Sequence, residues 1–227
     1  MRGSQRRNVN PALLLLLWEA LAFVRRLPFF PFVTLGTLGL LVFLHITTPQ
    51  YFISRMAISA AKMQSLTPFS PLWLQVGLGS QLLHLDDMHI YYNALSFLHK
   101  GAQLEHPRAC GAARFAALLA VLTAATPVFY VALAALGSAV MPGGLYAQQA
   151  VGFSGVIFGL KVVLQADGSG EEVVGGMRVP AKLAAWAELV AIQLATPNAS
   201  FLGHLAGILA GLSVVAVERA WGTARRR

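Results

Sequence analysis

Charged residues are scarce in this sequence, since Asp, Glu, Lys and Arg together make up only 11% of its 227 residues. A soluble domain carries about 25% of such residues, whereas apolar residues here reach 56%. A spanning helix needs roughly 20 predominantly apolar residues. The chain is therefore long enough for six spans and their loops, with no separate soluble domain. The scarcity of charge predicts an integral membrane protein.

Cysteine is almost absent as well, because Cys110 is the only one in the chain. A single thiol excludes an internal disulfide. No Cys or His cluster has the spacing of a metal site. We therefore expect neither a metal nor another cofactor.

Acidic residues are fewer than basic ones, 9 against 17, which gives a formal net charge of +8. Such an excess can indicate nucleic-acid binding, but no basic patch here is interleaved with aromatic residues. If both ends of the chain are cytosolic, the cytosolic segments hold nearly all of the Lys and Arg residues. The opposite side then holds only Arg55 and Lys62, as the positive-inside rule requires. The charge therefore predicts a membrane orientation and no nucleic-acid partner.

Six segments are predicted to span the membrane. Five are plainly apolar, and the second is included because its polar residues recur with helical period. The segments are 29–48, 82–98, 112–141, 150–165, 180–196 and 201–217. Residues 49–83 form a long first lumenal loop with short amphipathic helices, and the polar segment 167–178 lies outside the bilayer. The expected fold is an all-α, six-transmembrane-helix bundle with a long first lumenal loop.

The N-terminal region is expected to lie on the cytosolic face. The apolar run from Ala12 to Val24 is too short to span and is followed by Arg25 and Arg26, which favours an interfacial helix. The alternative is a signal peptide, but no convincing small-residue cleavage site precedes Arg25. The predicted division is residues 1–28 as a cytosolic N-terminus with an interfacial helix, 29–218 as the membrane domain and 219–227 as a short basic cytosolic tail.

Polar residues are predicted to meet at one depth, because spans two, four and six all begin on the lumenal side. His89 and Asn93 share one helix face in span two. Ser154 is expected about one turn into span four, and His204 about one turn into span six. All four should lie roughly 5 to 12 Å below the lumenal surface.

Small residues line the fourth and sixth spans. Gly155 and Gly159 repeat at four-residue spacing, as do Gly203, Gly207 and Gly211. Such stripes let two helix backbones approach closely. They can serve packing alone, but beside a serine and a histidine they favour a short hydrogen bond between Ser154 and His204.

These residue types support nucleophilic catalysis. A serine hydroxyl becomes a good nucleophile when a neutral imidazole removes its proton. Attack on an amide creates an oxyanion, for which the Ser154 backbone amide and the His89 and Asn93 side chains are candidate donors. No aspartate is placed to orient His204, so Phe158 is expected to hold the ring by stacking.

Four motifs together resemble the rhomboid family of intramembrane serine proteases. They are His84-x4-His89-x3-Asn93, Gly101-Ala102-x-x-Glu105, Gly152-Phe153-Ser154-Gly155 and Gly203-His204-x-Ala206-Gly207-x3-Gly211. The resemblance implies a serine endopeptidase that cleaves transmembrane segments of membrane proteins within the lipid bilayer. It also implies Ser154 as nucleophile, His204 as base, and His89 with Asn93 at the oxyanion. Phe158, Gly152, Gly155 and His84 would support the site.

Other features are similar to the endoplasmic-reticulum subgroup of eukaryotic rhomboids, among them the Asp86-Asp87 pair. This implies an endoplasmic-reticulum membrane protein with its active site toward the lumen. Members of that subgroup carry a cytosolic tail that contacts ubiquitin and an unfoldase. The sequence stops at Arg227 without such a tail, so the contacts with ubiquitin and an unfoldase are in doubt. Trp73 is followed by Leu74, where rhomboids usually have Trp-Arg.

Alternatives remain open at this stage. A non-proteolytic rhomboid relative would bind membrane clients for dislocation, but such relatives lack the serine and histidine. A transporter would show an internal repeat, which is not found. Glu188 is interpreted either as part of a lateral gate or as a buried hydrogen-bonding group. Lys161 is expected to snorkel to the cytosolic edge.

Overall fold

The computed structural model describes residues 10–140, 148–166 and 168–224. Most of these residues are helical. The α-helices are α1 Pro11–Val24, α2 Phe32–Thr47, α3 Gln50–Met56, α4 Ala60–Gln64, α5 Pro71–Leu82, α6 Asp87–Glu105, α7 Gly111–Val140, α8 Ser154–Leu164, α9 Ala184–Ala195 and α10 Phe201–Ala224. Two strands, β1 Glu171–Val174 and β2 Met177–Pro180, and a 3-10 turn, Ala181–Leu183, lie between α8 and α9.

The helical membrane bundle is confirmed, whereas six full-length spans are not. Within the described residues, Gly111–Ser138 and Phe201–Trp221 are each long and apolar enough to cross a membrane. A third candidate is α2 joined to α3 across a 119° bend. Helices α8 and α9 have 11 and 12 residues, which corresponds to less than about 20 Å of length.

Helix α8 lies at the centre of the bundle. All residues from Gly155 to Val162 are buried, and α6, α7 and α10 pack around them. The sequence permits this position because the helix is apolar on almost every side. A serine at its start is therefore held by a helix that is buried among three others.

Helix α2 runs antiparallel to α6 and is fixed at both ends. At its start, the Glu105 carboxylate accepts hydrogen bonds from the backbone N–H groups of Val33 and Thr34, both at 2.8 Å. A carboxylate at a helix N-terminus satisfies N–H groups that have no partner within the helix. At its other end, His45 Nε2 lies 2.6 Å from Asp87 Oδ1. These contacts fix the position of α6 along the axis of α2, and α6 carries His89 and Asn93.

Helix α1 differs from the expected interfacial helix on the cytosolic face, because it lies lengthwise against α6 with its start beside the start of α6. The Asn10 side chain donates to Asp87 at the start of α6, and the Phe23 ring lies 4.4 Å from that of His99 further along. Between them, the Tyr91 hydroxyl lies 3.0 Å from Glu19 Oε2. The run of leucines allows this placement, since one face of the helix packs on α6 and the other is exposed, including Trp18. Residues 1–9 of the predicted N-terminal segment and 225–227 of the predicted tail lie outside the described residues.

The segment after α8, for which the sequence predicted only a position outside the bilayer, contains a β-hairpin. Val174 pairs with Met177, so Gly175 and Gly176 form a two-residue turn with φ values of +58° and +82°. Positive φ at both turn positions is typical of a type I′ turn. The sequence contains this hairpin signal, because two short segments flank the two glycines. They are Glu171-Glu172-Val173-Val174 and Met177-Arg178-Val179. The hairpin and the 3-10 turn delay the fifth helix, which begins at Ala184 where a span from Pro180 was predicted.

Helix α5 is anchored to α7 at a proline. Pro127 lies inside α7, and a proline removes the N–H that would bond the carbonyl four residues earlier. That carbonyl belongs to Thr123, and it accepts a hydrogen bond of 2.6 Å from the Gln81 side chain of α5. The segment between α2 and α6 is therefore attached to the bundle by a side chain that replaces a missing backbone donor.

Candidate active site

Ser154 is the first residue of α8, whereas the sequence predicted that it lies about one turn inside the helix. The turn before it contains Gly152 with φ of +120°, a backbone conformation that L-residues with side chains rarely adopt. Phe153 is 1% exposed, and its ring packs edge-on against Phe97 at 5.2 Å. The glycine allows a sharp entry into the helix, and the phenylalanine fixes the position of the serine that follows.

The segment between α2 and α6 holds this turn in place through contacts with the backbone of Ala150, Gly152 and Phe153. Ile58 and Ala150 exchange two backbone hydrogen bonds of 2.9 Å. The Gly152 N–H donates to the Ser80 carbonyl at 2.8 Å, and the Phe153 N–H lies 3.4 Å from His84 Nε2. Backbone hydrogen bonds restrict the approach of the chain to Ser154, so the loop contributes directly to the geometry of the site.

His204 is the fourth residue of α10 and contacts Ser154. Its Nε2 lies 2.9 Å from Ser154 Oγ, and the histidine is 5% exposed. With Nε2 unprotonated, the hydroxyl donates to the imidazole, which leaves the proton on Nδ1. This is the arrangement that a general base needs to activate a hydroxyl.

Glycines of α8 and α10 make this short contact sterically possible. A methyl group on Gly155 would lie 2.9 Å from the Gly203 carbonyl oxygen, and one on Gly159 would lie 3.1 Å from the Gly207 carbonyl oxygen. A methyl group on Gly211 would lie 2.6 Å from the Gly159 carbonyl oxygen. The two helices are therefore in backbone contact over more than two turns.

The His204 ring is supported by Phe158 and by burial. The two ring centroids lie 4.7 Å apart with an interplanar angle of 31°. Within the described part of the chain, His204 Nδ1 is buried and has no hydrogen-bond partner. The His204 ring is thus oriented by stacking on Phe158 and by its hydrogen bond to Ser154. These two residues lie one turn apart on α8.

His89 and Asn93 face the same turn from α6. A methyl group on Gly152 would lie 2.6 Å from His89 Nε2 and 3.9 Å from Asn93 Nδ2, so both polar groups border the glycine before Phe153. Asn93 Nδ2 donates one of its hydrogens to the His89 carbonyl at 2.9 Å. The His84 ring lies 5.1 Å from that of His89. The structure therefore brings every predicted site residue into one region.

Asp86 was not predicted to support the site. Its carboxylate accepts a hydrogen bond of 2.8 Å from the His89 backbone N–H and caps the N-terminus of α6. An aspartate immediately before a helical segment is a recognised N-cap signal. The signal was present, but the polar start of α6 made the helix boundary uncertain by several residues.

Lys161 does not snorkel to the cytosolic edge, and this expectation was wrong. It is 6% exposed, makes an ion pair with Glu188 of α9 and lies 3.3 Å from Glu172 of β1. Glu188 also lies 3.8 Å from Lys100 of α6. Glu188 is therefore a half-buried, ion-paired group, and its part in a lateral gate stays a prediction.

A metal site is not found among residues 10–140, 148–166 and 168–224, where no group of three or more His, Cys, Asp or Glu residues could hold an ion.

Known proteins share this sequence pattern. The model of the Rhomboid domain matches residues 73–221. Rhomboid-related protein 4 of Mus musculus is 40% identical over 210 residues, covering 91% of this chain and 63% of the relative. The Homo sapiens protein of the same name is 38% identical over 208 residues, with 91% and 63% covered. Rhomboid-like protein 14, mitochondrial, of Arabidopsis thaliana is 42% identical over 135 residues, with 59% and 40% covered. The chain thus spans less than two thirds of the length of these relatives.

Proposed function

The chain belongs to the rhomboid family, and on that premise we propose that it is an intramembrane serine endopeptidase. It cleaves transmembrane segments of membrane proteins with Ser154 and His204 as a catalytic dyad. The observation that carries the proposal is the 2.9 Å hydrogen bond between Ser154 Oγ and His204 Nε2. Family membership alone does not carry it, because a fold can be retained without its chemistry.

The proposed reaction proceeds in two steps. Ser154 Oγ attacks the carbonyl carbon of the scissile peptide bond while its proton moves to His204 Nε2. His204 then gives that proton to the leaving amine as the C–N bond breaks, which leaves an ester on Ser154. In the second step, His204 takes a proton from water while the water oxygen attacks the ester carbonyl carbon. The bond from that carbon to Ser154 Oγ then breaks, the carboxylic acid product is released, and the proton on His204 returns to Ser154 Oγ.

The proposed oxyanion site lies at the start of α8. The first N–H groups of a helix have no partner within the helix, so the Ser154 N–H is suited to bind an oxyanion. His89 and Asn93 border the preceding turn and supply side-chain donors. Donors of this kind stabilise negative charge that develops only during the reaction.

The proposed substrate is a helix that enters from the lipid and unwinds locally. A regular helix uses its carbonyl groups in internal hydrogen bonds, so the backbone must open before Ser154 can attack it. Glycines and other small residues near the cut lower this cost. We therefore expect substrates to carry such residues beside the cleaved bond.

The proposed membrane setting uses α2, α6, α7, α8, α9 and α10 as the six spans, with α1 packed beside α6. Among the described residues, most basic side chains belong to segments at the end of the bundle away from Ser154, whereas Arg55 and Lys62 lie in the region between α2 and α5, at the other end. Those at the far end are Arg25, Arg26, Arg108, Arg114, Arg178, Lys182 and Arg219. The positive-inside rule then directs Ser154 toward the lumenal side. The endoplasmic reticulum is the membrane we propose.

Cleavage of a single-span model substrate tests the proposal. Wild type, Ser154→Ala and His204→Ala are compared after reconstitution, together with Ser213→Ala as a serine control. Ser213 lies on α10 and donates to the Ala210 carbonyl at 2.7 Å, well away from the dyad. We expect cleavage by wild type and Ser213→Ala, and a loss of about 10³-fold or more in the two dyad variants.

The non-proteolytic alternative makes the opposite prediction. A protein that only binds clients would retain them in every variant, would not cleave them, and would not be labelled by a serine-directed fluorophosphonate. Full activity of Ser154→Ala would remove the proposed mechanism.

A further inference from the structure

Helix α1 runs in the same direction as α6 and contacts it from end to end. Four side-chain pairs follow one another in the same order along both segments: Asn10 with Asp87, Glu19 with Tyr91, Phe23 with His99, and Phe29 with His106. The first pair lies at the start of α6, and the last lies directly after its end. The segment 10–29 is therefore parallel to α6 and covers its whole length.

The length of α6 determines how deep this segment reaches. Helix α6 has 19 residues, which corresponds to about 28 Å and is close to the roughly 30 Å of the hydrocarbon core. Helix α1 has only 14 residues, or about 21 Å, but the chain continues along α6 as far as Phe29. Since α6 begins beside the proposed active site and ends at the opposite end of the bundle, a segment that follows it crosses the same layer.

Both faces of α1 are apolar. Leu16 and Ala20 are buried in one core cluster with Ile90 and Ala94 of α6. The opposite face exposes large apolar side chains, which are Leu14, Leu17, Trp18 and Leu21 at 55%, 57%, 68% and 49%. An interfacial helix normally turns a strongly polar face toward water. The exposed face of α1 instead suits lipid.

Glu19 lies about halfway along α1 and is half-buried. An ionisable side chain inside a membrane is costly and normally has a polar partner. The Tyr91 hydroxyl supplies one, since it lies 3.0 and 3.1 Å from the two carboxylate oxygens. Tyr91 belongs to the second turn of α6, two residues after His89. A helix on the cytosolic surface would not bring Glu19 to that depth.

The charges beside α1 do not decide its direction. Three arginines precede it in the sequence and two follow it, so the positive-inside rule separates the two ends only weakly. The contacts with α6 are specific to one direction, because a reversed α1 would place Asn10 beside the end of α6 and away from Asp87.

We propose that α1 is a seventh membrane-crossing segment, which begins on the side of Ser154 and runs parallel to α6 to the opposite side. Asn10 then lies on the lumenal side and Arg26 on the cytosolic side, whereas the sequence predicted both on the cytosolic face. The proposed membrane orientation serves only to name the two sides. The inference is independent of the proposed proteolytic activity.

Labelling of single cysteines in sealed microsomes tests the direction of α1. The background is Cys110→Ser, in which a hydroxyl can keep the hydrogen bond that the thiol makes. Pro11→Cys and Arg26→Cys report the two ends of α1, and both replaced residues are exposed. Gln64→Cys in α4 is the reference for the side of Ser154, and Arg108→Cys after α6 is the reference for the opposite side.

A membrane-impermeant maleimide is added to intact and to permeabilised microsomes. We expect Arg26→Cys to be labelled in intact microsomes together with Arg108→Cys. Pro11→Cys should be labelled only after permeabilisation, together with Gln64→Cys. Labelling of Pro11→Cys in intact microsomes to the same extent as Arg108→Cys would overturn the proposal. If the two references exchange sides, the orientation proposed for Ser154 fails, whereas the direction of α1 stands as long as Pro11→Cys follows Gln64→Cys.

The depth of Trp18 gives a second measurement that does not depend on access of the maleimide. Trp18 lies about 10 Å along α1 from Pro11, so a crossing helix places it near the bilayer centre. The fluorescence of wild type and of Trp18→Phe is compared in lipids that carry bromine either near the chain ends or near the glycerol. The difference between the two proteins should be quenched more strongly by bromine near the chain ends. Stronger quenching by bromine near the glycerol would show an interfacial helix and overturn the proposal.

Discussion

Gly207 of α10 lies against the backbone of Gly155 in α8, so closely that no side chain fits between them. A methyl group on Gly207 would overlap the Gly155 carbonyl and lie 2.9 Å from its Cα. Gly155 follows Ser154, and Gly207 lies one turn after His204. The distance between the proposed nucleophile and base is therefore set by a backbone contact between two glycines.

We expect Gly207→Ala to separate the dyad. The added methyl group must push α10 away from α8, and misplacement of a catalytic group by about 1 Å can lower the rate about 10²-fold. Cleavage of a model substrate and fluorophosphonate labelling should both fall by about that factor. Gly36→Ala is the matched control, because a methyl group there meets nothing within 4 Å. Equal effects of the two substitutions would contradict this account.

Replacement of Asp86 should affect the reaction through His89. Asp86→Ala removes the 2.8 Å bond to the His89 N–H, and loss of an N-cap costs about 1 kcal/mol of stability. We expect a fall of about tenfold in kcat with little change in KM, because the first turn of α6 carries a proposed oxyanion donor. Asp86→Asn keeps a capping oxygen and should restore kcat. A rise in KM alone, with kcat unchanged, would exclude this positioning role.

The bond from Gln81 to the Thr123 carbonyl can be tested by a double-mutant cycle. Gln81→Leu leaves that buried carbonyl without its donor, which costs about 1–3 kcal/mol of unfolding free energy. Pro127→Ala restores the missing helix N–H, so the same Gln81→Leu change should cost less in that background. The measurement is unfolding of all four proteins in detergent micelles. Strict additivity would show that Gln81 does not serve the carbonyl freed by the proline.

The meeting of Ser154, His204, His89 and Asn93 could be predicted from the sequence because two simple regularities determine it. Residues four apart share a helix face, and alternate spans begin on the same side of the membrane. Together these regularities predict, for each polar residue, which side of its helix it lies on and how deep in the membrane it lies. Their chemical roles stay proposals, since geometry alone does not establish a rate.

Other parts of the structure depend on partners far away in the sequence. The apolar run of α1 suits an interfacial helix as well as one packed on α6, and its contacts with α6, such as that of Asn10 with Asp87, distinguish them. A lysine near the end of an apolar helix can reach water or an acid on another helix. Nothing local to Lys161 indicates Glu188, which is 27 residues away. The hairpin is the exception, because the sequence Gly175-Gly176 between two short β-prone segments is a local signal for a tight turn.

The ion pair of Lys161 with Glu188 should hold α9 to the bundle. The two side chains are only 7% and 23% exposed, and without Glu188 the Lys161 cation has only Glu172 as an acidic partner, at 3.3 Å. We expect Glu188→Leu to lower the unfolding free energy by about 3 kcal/mol. Adding Lys161→Met should recover part of that loss, because the incompletely paired cation is then gone. Arg114→Gln is the matched control, since its pair with Glu218 is 73% and 55% exposed and should contribute less than about 1 kcal/mol. If the double variant is no more stable than Glu188→Leu alone, the loss comes from packing of α9 and not from the buried charge.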